Sequence, residues 1–256
     1  MPPRAVARSA AVAGFGFVAL FIFAAVLYGS GAGRQPDEIV AYYGSGGRWA
    51  QVAGFAVLTA GLAFFAVFVA SLRALLGPAE PWSSLSLLAG VATLMCLLIA
   101  NTLWASSAFT SIIETGYVID PRTHLIFDDA GFTFLVAGGA MAALLVAAAS
   151  LAMAAGAVFP RWLSWLGAPV AVALLGTYWY VPLFALFLWI AVVAGFALKL
   201  SPRSGWPQAA VCANALRISR LSSGRATSAG ERRVTKRVSL PLPWSNPSPS
   251  SSSRPR

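Results

Sequence analysis

The sequence predicts an all-α membrane protein, a polytopic bundle of about six transmembrane helices over residues 1–200 followed by a disordered basic tail over residues 201–256. Composition is the first observation behind this class: 58% of residues are hydrophobic and 10% are charged, whereas soluble domains carry about 25% charged residues. The second is a series of charge-free stretches of about twenty residues, the length that a helix needs to cross the hydrocarbon. An ordinary soluble domain is excluded.

Four charge-free windows predict the first four spans, at about residues 10–29, 51–72, 84–105 and 131–157. The first window has a rival interpretation as a cleaved signal peptide. Its apolar run exceeds the about 7–15 residues of a secretory signal, which favours a retained helix.

The last apolar window has no charged residue from 162 to 198, and one helix of that length would extend about 55 Å, beyond what a bilayer requires. The turn is predicted where Tyr178, Trp179 and Tyr180 precede Pro182, because these aromatics favour the membrane interface and proline suits a first helical turn. The resulting spans, about 162–178 and 182–199, are short. A re-entrant fifth segment is the alternative.

Charge distribution predicts the orientation. The tail holds ten Lys and Arg and one acid (10 − 1 = +9) of a net charge of +10, so residues 1–200 are nearly neutral. Basic residues near the spans place both termini and the loops around Arg73 and Arg161 in the cytoplasm, with residues 30–50 and 106–130 outside. No ionisable residue lies in the middle of a predicted span, which disfavours an ion-coupled transporter.

The second outer loop, residues 106–130, holds the one candidate site. Glu114, His124, Asp128 and Asp129 offer imidazole and oxygen ligands for a divalent cation, and His124 and Asp128 would share a helix face. The simpler interpretation is favoured: Asp128 and Asp129 begin the fourth spanning helix, where carboxylates satisfy free amides, and the other side chains are solvated. Neither a catalytic residue, a bound metal nor a cofactor is predicted.

Three smaller features have structural interpretations. Pro36, Asp37 and Glu38 in the first outer loop are typical of a helix start. Asn101, near the outer end of the third span, is expected to form a hydrogen bond across a helix interface. Glycines spaced seven apart within one span, such as Gly131 and Gly138, would share a face that suits close helix packing.

Two segments carry a resemblance: Ile39-Val40-Ala41-Tyr42-Tyr43 and Phe159-Pro160-Arg161-Trp162-Leu163-Ser164-Trp165-Leu166-Gly167. With the six-span layout they resemble uncharacterised bacterial, chiefly actinobacterial, six-span membrane proteins of unknown function, over about residues 1–200. Ser164 stands where those proteins commonly have glycine. The resemblance implies a location in the plasma membrane and no assigned activity.

Several residues are predicted to contact the membrane surface. Arg161 suits inner-leaflet phosphates, and aromatic side chains suit the interface. The predicted interface anchors are Arg161, Trp162, Trp165, Tyr178, Trp179 and Tyr180.

The tail is rich in serine, proline and arginine and has too little apolar surface to fold. Its basic cluster of Arg232, Arg233, Lys236 and Arg237 is predicted to contact anionic inner-leaflet lipids. Binding of nucleic acid is disfavoured, because aromatic residues for base stacking are not interleaved with the charges. A misassigned reading frame is a third explanation of this segment.

Two classes of function remain from the sequence. The favoured class is a noncatalytic membrane accessory or interaction protein, or a carrier of an uncharged solute, and it accords with spans that lack ionisable groups. The alternative is a membrane enzyme or metal sensor built on residues 106–130. The sequence identifies no protein partner.

Overall fold

The computed structural model describes residues 3–29, 33–77, 79–114, 116–156, 159–179 and 181–200, which all belong to one unit, Met1–Ser204. Regular secondary structure in these residues is entirely helical. The helices are α1 (Pro3–Tyr28), α2 (Pro36–Gly44), α3 (Gly47–Leu76), α4 (Trp82–Ile113), α5 (Pro121–Ala155), α6 (Arg161–Leu174) and α7 (Val181–Leu200), with a 3₁₀ turn at Thr177–Trp179 before α7. The predicted tail, residues 201–256, lies outside the described residues.

Five of these helices, α1, α3, α4, α5 and α7, are long and apolar enough to cross a membrane. The predicted class, an all-helical membrane protein, is therefore confirmed for the described residues. The helix at the predicted fifth span is α6, which has 14 residues and falls below the about 17 residues of a full crossing.

Most of the helices extend beyond the charge-free windows, because a helix continues through polar residues until a cap, a glycine or a proline ends it. The clearest case is α5, which begins at Pro121 with Asp120 as its N-cap. Both oxygens of Asp120 accept backbone N–H bonds, from Arg122 and Thr123, at 3.2 Å. The prediction that Asp128 and Asp129 begin this helix is wrong, since both lie two turns inside it.

Neighbouring long helices run antiparallel. Helix α1 packs against α3 and α7, α4 packs between α3 and α5, and α6 packs against α5 and α7. Lipid tails are as apolar as the helix surfaces, so burying apolar surface between two membrane helices contributes little to stability. Close van der Waals packing between the helices contributes more. A methyl group at Gly61 would come within 3.2 Å of Leu20 Cβ, and one at Gly138 would lie equally close to Cys96 Cβ. These glycines allow the close packing that their spacing predicts.

Charged side chains gather at opposite ends of this bundle. At one end, Ser9 Oγ on α1 lies 2.9 Å from Ser71 Oγ on α3, and the Trp162 and Phe196 rings of α6 and α7 are 5.2 Å apart. We call this the basic end; it carries Arg4, Arg8, Arg73, Glu80, Arg161 and Lys199. We call the opposite end the acidic end; it carries Arg34, Asp37, Glu38, Arg48, Glu114, Asp120, Arg122, His124, Asp128 and Asp129.

The short helix α6 begins at the basic end, where Pro160 is its N-cap. The 3₁₀ turn that follows α6 lies beside the half of α5 nearer the acidic end. Thr177 contacts Gly139, and the ring centroids of Tyr178 and Phe132 are 5.6 Å apart. The predicted change of direction near residue 180 is present: α7 begins at Val181 and returns beside α1 towards the basic end.

Candidate functional site

A cavity of about 450 Å³ lies towards the acidic end of the bundle. That volume is within the about 300–1,000 Å³ range of small-molecule sites. Helices α1, α3, α4, α5 and α7 all contribute to its wall. The apolar part of the wall includes Phe21, Ala25, Leu58, Leu135 and Leu183, and the polar part includes Tyr28, Arg34, Gln51, Trp104, His124 and Asp128.

Next to the cavity, Asn101 joins three helices through its side-chain amide. The Tyr28 hydroxyl donates to Asn101 Oδ1 at 2.5 Å, and Asn101 Nδ2 donates to Phe55 O at 3.2 Å and to Thr59 Oγ1 at 3.1 Å. Asn101 is completely buried, so the amide is fully used between helices. The prediction of a hydrogen bond across a helix interface is confirmed.

Gln51 presents the opposite case. It lines the cavity and is 6% exposed, yet its Oε1 atom has no hydrogen-bond partner among the described residues. A buried acceptor without a donor costs about 1–3 kcal/mol. The cavity is therefore bordered by an amide whose covered oxygen has no donor among the described residues, and a bound molecule would reach this oxygen only after the Gln51 side chain rotates towards the cavity.

Sequence reasoning missed Gln51. It occupies the first position of the window predicted for the second span, where an amide suggests only the edge of the membrane. Its signal was its polarity inside an otherwise apolar stretch. Only packing against α1 and α4 reveals that the side chain is buried beside a cavity.

Of the four candidate ligands, His124 and Asp128 line the cavity together, one helical turn apart on α5. His124 is 7% exposed, its Nδ1 lies 3.4 Å from Ser107 Oγ, and its ring meets that of Tyr43 edge-on at 5.5 Å. The prediction that His124 is solvated is wrong, because α2 and α4 cover the first turns of α5.

The other two candidates lie elsewhere. Asp129 forms an exposed ion pair with Arg34, 2.9 Å between Oδ1 and a guanidinium nitrogen, and Glu114 is the exposed C-cap of α4. In the part of the chain that the structure describes, no group of three or more His, Cys, Asp and Glu side chains could hold a metal ion. Glu114, His124, Asp128 and Asp129 thus do not form one cluster.

Three groups outside the spanning helices have shifted pKa values, and two of them, Tyr43 and Asp120, lie at the acidic end. Burial raises the pKa of the Tyr43 phenol above its ordinary value, and the neighbouring Tyr42 adds to the shift. The Thr123 hydroxyl, 2.7 Å from Asp120 Oδ2, and the backbone amides at the start of α5 lower the pKa of Asp120. At neutral pH the Tyr43 phenol is therefore uncharged and Asp120 is ionised.

The predicted membrane-interface anchors are partly described. Trp162, Trp165 and Tyr178 are 52%, 77% and 64% exposed, and Arg161 is exposed at the start of α6. Tyr180, the side chain of Trp179 and the basic cluster of Arg232, Arg233, Lys236 and Arg237 lie outside the described residues. Contact of these side chains with lipid stays a prediction.

Comparison of the chain with protein-family models, curated proteins and solved structures finds no match in any of the three. The resemblance to actinobacterial six-span proteins stays a prediction. An account of function consequently rests on the chain itself, and above all on the cavity at the acidic end.

Proposed function

We propose that this protein is a noncatalytic membrane protein that binds a small, uncharged and partly apolar molecule in the cavity at the acidic end. One observation carries the proposal: an apolar cavity of about 450 Å³ is lined by a buried amide, Gln51, whose Oε1 atom lacks a donor among the described residues. Concave, mainly apolar walls with a few polar groups are typical of small-molecule sites.

The lining indicates the chemistry of the molecule. Phe21, Leu58 and Leu135 offer an apolar surface, and the Gln51 amide offers an acceptor once its side chain rotates towards the cavity. Arg34 and Asp128 are the charged residues of the lining, and Arg34 is already paired with Asp129, so the lining has no surplus of positive charge that would favour an anion. An uncharged molecule with a hydroxyl or N–H group at one end fits this wall better than an ion does.

The membrane helices fit a carrier or accessory protein better than an ion-coupled pump. In α3 and α5, the described residues of the middle third include no Asp, Glu, Lys, Arg or His, whereas ion-coupled proteins place such groups there. The alternative of a membrane enzyme or metal sensor requires Glu114, His124, Asp128 and Asp129 to converge. Only two of these four line the cavity.

Our proposal includes a topology with six crossings and both termini in the cytoplasm of a bacterial cell, in its plasma membrane. The contacts of α6 and the turn after it support the sixth crossing. The Trp162 ring contacts that of Phe196 on α7 near the basic end, and the Tyr178 ring contacts that of Phe132 in the half of α5 nearer the acidic end. The concentration of arginine and lysine at the basic end supports its cytoplasmic placement, because basic residues near membrane helices favour that side.

A brominated phenol tests the cavity. The probe is 4-bromophenol, which is uncharged at neutral pH, carries one hydroxyl donor and quenches tryptophan fluorescence on contact. Trp104 lines the cavity, so the purified full-length protein in detergent should show saturable quenching above the linear background from partition into micelles. The anionic analogue 4-bromobenzoate should show the linear background alone.

Two neighbouring substitutions on α1 provide the comparison. Ala25→Phe fills the cavity from an exposed position, whereas Val26→Phe adds a ring at a residue that is 69% exposed and is not part of the lining. Saturable quenching should disappear in the first variant and persist in the second. Quenching that is linear in the parent protein, or equal in the two variants, would overturn the proposal.

A further inference from the structure

An open groove of about 570 Å³ lies between α5 and α6 towards the basic end. Three alanines form part of its wall, Ala147 and Ala154 on α5 and Ala168 on α6, and Leu151 adds a larger apolar side chain. Arg161 and Trp165 stand at the start of α6 and also line the groove. We call it the α5–α6 groove.

We propose that the α5–α6 groove binds one phospholipid with an anionic headgroup. Arg161 contacts the phosphate, and the apolar wall holds part of an acyl chain. The groove and the cavity at the acidic end share no residue, so this inference does not rest on the proposed function.

Charge supports the choice of an anionic lipid. The Arg161 guanidinium is exposed, and among the described residues it forms no ion pair, since the two pairs found there are Arg34–Asp129 and Arg73–Glu80. Guanidinium binds phosphate through two parallel hydrogen bonds, a geometry that lysine lacks. The first turn of α6 therefore offers a cation that a lipid phosphate would satisfy.

The level of the groove in the bilayer supports a lipid. Trp162 and Trp165, in the first turns of α6, are 52% and 77% exposed, and tryptophan favours the headgroup level of membranes. Arg161 precedes them directly, so its side chain can reach the phosphates while the alanine-lined wall extends into the hydrocarbon. Charge and apolar surface are thus arranged in the order of a phospholipid.

A buried serine lies at the base of the α5–α6 groove. Ser150 lines the groove and is 7% exposed, yet its Oγ has no hydrogen-bond partner among the described residues. It packs against Gly167, between one and two turns of α6 deeper in the membrane than Arg161. The Oγ atom is itself covered by protein, so the lipid contacts expected here are those of Arg161 and the apolar part of the wall.

Native mass spectrometry of the full-length protein in detergent tests the inference with two lipids of identical acyl chains, phosphatidylglycerol and phosphatidylcholine. The parent protein should retain one phosphatidylglycerol more tightly than phosphatidylcholine. Arg161→Ala should weaken phosphatidylglycerol binding about five- to tenfold and leave phosphatidylcholine nearly unchanged. Arg161→Lys keeps the charge without the planar fork and should give an intermediate affinity.

Ala154→Phe tests whether an acyl chain lies against the apolar wall of the α5–α6 groove. The new ring fills the groove from an exposed position, so it should weaken the binding of both lipids. Its matched control is Ala155→Phe, on the adjacent exposed residue that does not line the groove. Lys199→Ala is the matched control for charge, since Lys199 lies at the same end on α7. Both controls should bind within about twofold of the parent protein, a free-energy difference well below that of one charge.

Three results would overturn the inference: equal affinity of the parent protein for the two lipids, equal losses in Arg161→Ala and Lys199→Ala, or unchanged binding in Ala154→Phe. The second result would show a general effect of surface charge. Every variant carries the same residues 201–256, so any lipid contact of that segment is common to all and cancels in the comparison.

Discussion

Two buried amides in neighbouring helices show how a polar group in a membrane bundle is either used by the fold or left for a ligand. Asn101 on α4 has partners on α1 and α3 at both ends of its amide. Gln51 on α3 is buried to a similar degree, but its oxygen is without a donor among the described residues. The first residue thus stabilises the bundle, and the second makes the empty bundle less stable.

Replacing Gln51 with leucine should therefore separate stability from binding. Gln51→Leu removes the unpaired acceptor at nearly constant volume, so the unfolding free energy of the unliganded protein should rise by about 1 kcal/mol. Saturable quenching by 4-bromophenol should be lost in the same variant. Thermal unfolding in detergent and the quenching assay measure the two effects, and a loss of both stability and binding would assign Gln51 to the fold instead.

Replacing Asn101 with leucine should have the opposite effect on stability. Asn101→Leu leaves the Tyr28 hydroxyl without its acceptor and removes the hydrogen bonds to α3, and should destabilise the protein by about 1–3 kcal/mol. Tyr28→Phe removes one partner only and should cost less. Because the two side chains share a hydrogen bond, the double variant should lose less stability than the sum of the single losses. Additive losses would show that the 2.5 Å contact contributes nothing.

At the scale of the helix, the start of α5 depends on a single carboxylate. Asp120→Ala removes the oxygens that accept the amides of Arg122 and Thr123 and should lower the melting temperature, whereas Asp120→Asn keeps one acceptor and should cost less. Asp128→Ala removes no cap, since Asp128 lies inside α5. A greater loss of stability in Asp128→Ala than in Asp120→Ala would contradict this assignment.

The lowered pKa of Asp120 predicts a pH dependence of that contribution. The ionised form is favoured in the folded protein, so the stabilisation is fully present above the unfolded pKa of about 3.9. It is lost as the pH falls through the lower folded value. The difference in melting temperature between the parent protein and Asp120→Ala should therefore shrink upon acidification from pH 6 towards pH 3. A difference that grows in acid would contradict the sign.

The same helices show how far a sequence alone can predict this fold. Hydropathy located the long helices, because the absence of charge over twenty residues reports directly on the hydrocarbon. The window for the fourth span begins at residue 131 and the helix start was predicted at Asp128 and Asp129, both later than Pro121, since a helix outside the hydrocarbon continues through polar residues. His124 and Gln51 are buried by residues of other helices that are distant in sequence. The hydropathy of the neighbouring residues gives no information about those contacts.

At the scale of the whole bundle, segregation of charge relates the two proposed sites to the two membrane surfaces. The cavity lies towards the acidic end and the α5–α6 groove towards the basic end. If basic side chains face the cytoplasm, Arg161 meets the inner leaflet, where anionic lipids create a negative surface potential. The cavity then lies towards the outer surface, where small uncharged molecules arrive from outside the cell.

Thiol labelling in intact cells tests this orientation and the crossing by α6 together. With Cys96 and Cys212 replaced by serine, single cysteines are introduced as Ser45→Cys after α2, Ala79→Cys between α3 and α4, and Ser222→Cys beyond α7. An impermeant maleimide should label the first and should label the other two only after the cells are opened.

Two other labelling patterns would contradict this topology. Labelling at both residues 45 and 222 would mean that α6 does not cross the membrane, leaving the five long helices and termini on opposite sides. Labelling at residues 79 and 222 without residue 45 would invert the bundle and place Arg161 in the outer leaflet. We expect six crossings because α6 and its 3₁₀ turn connect Trp162, beside the end of α7, with Tyr178, beside Phe132. The start of α7 must then lie on the side opposite Lys199.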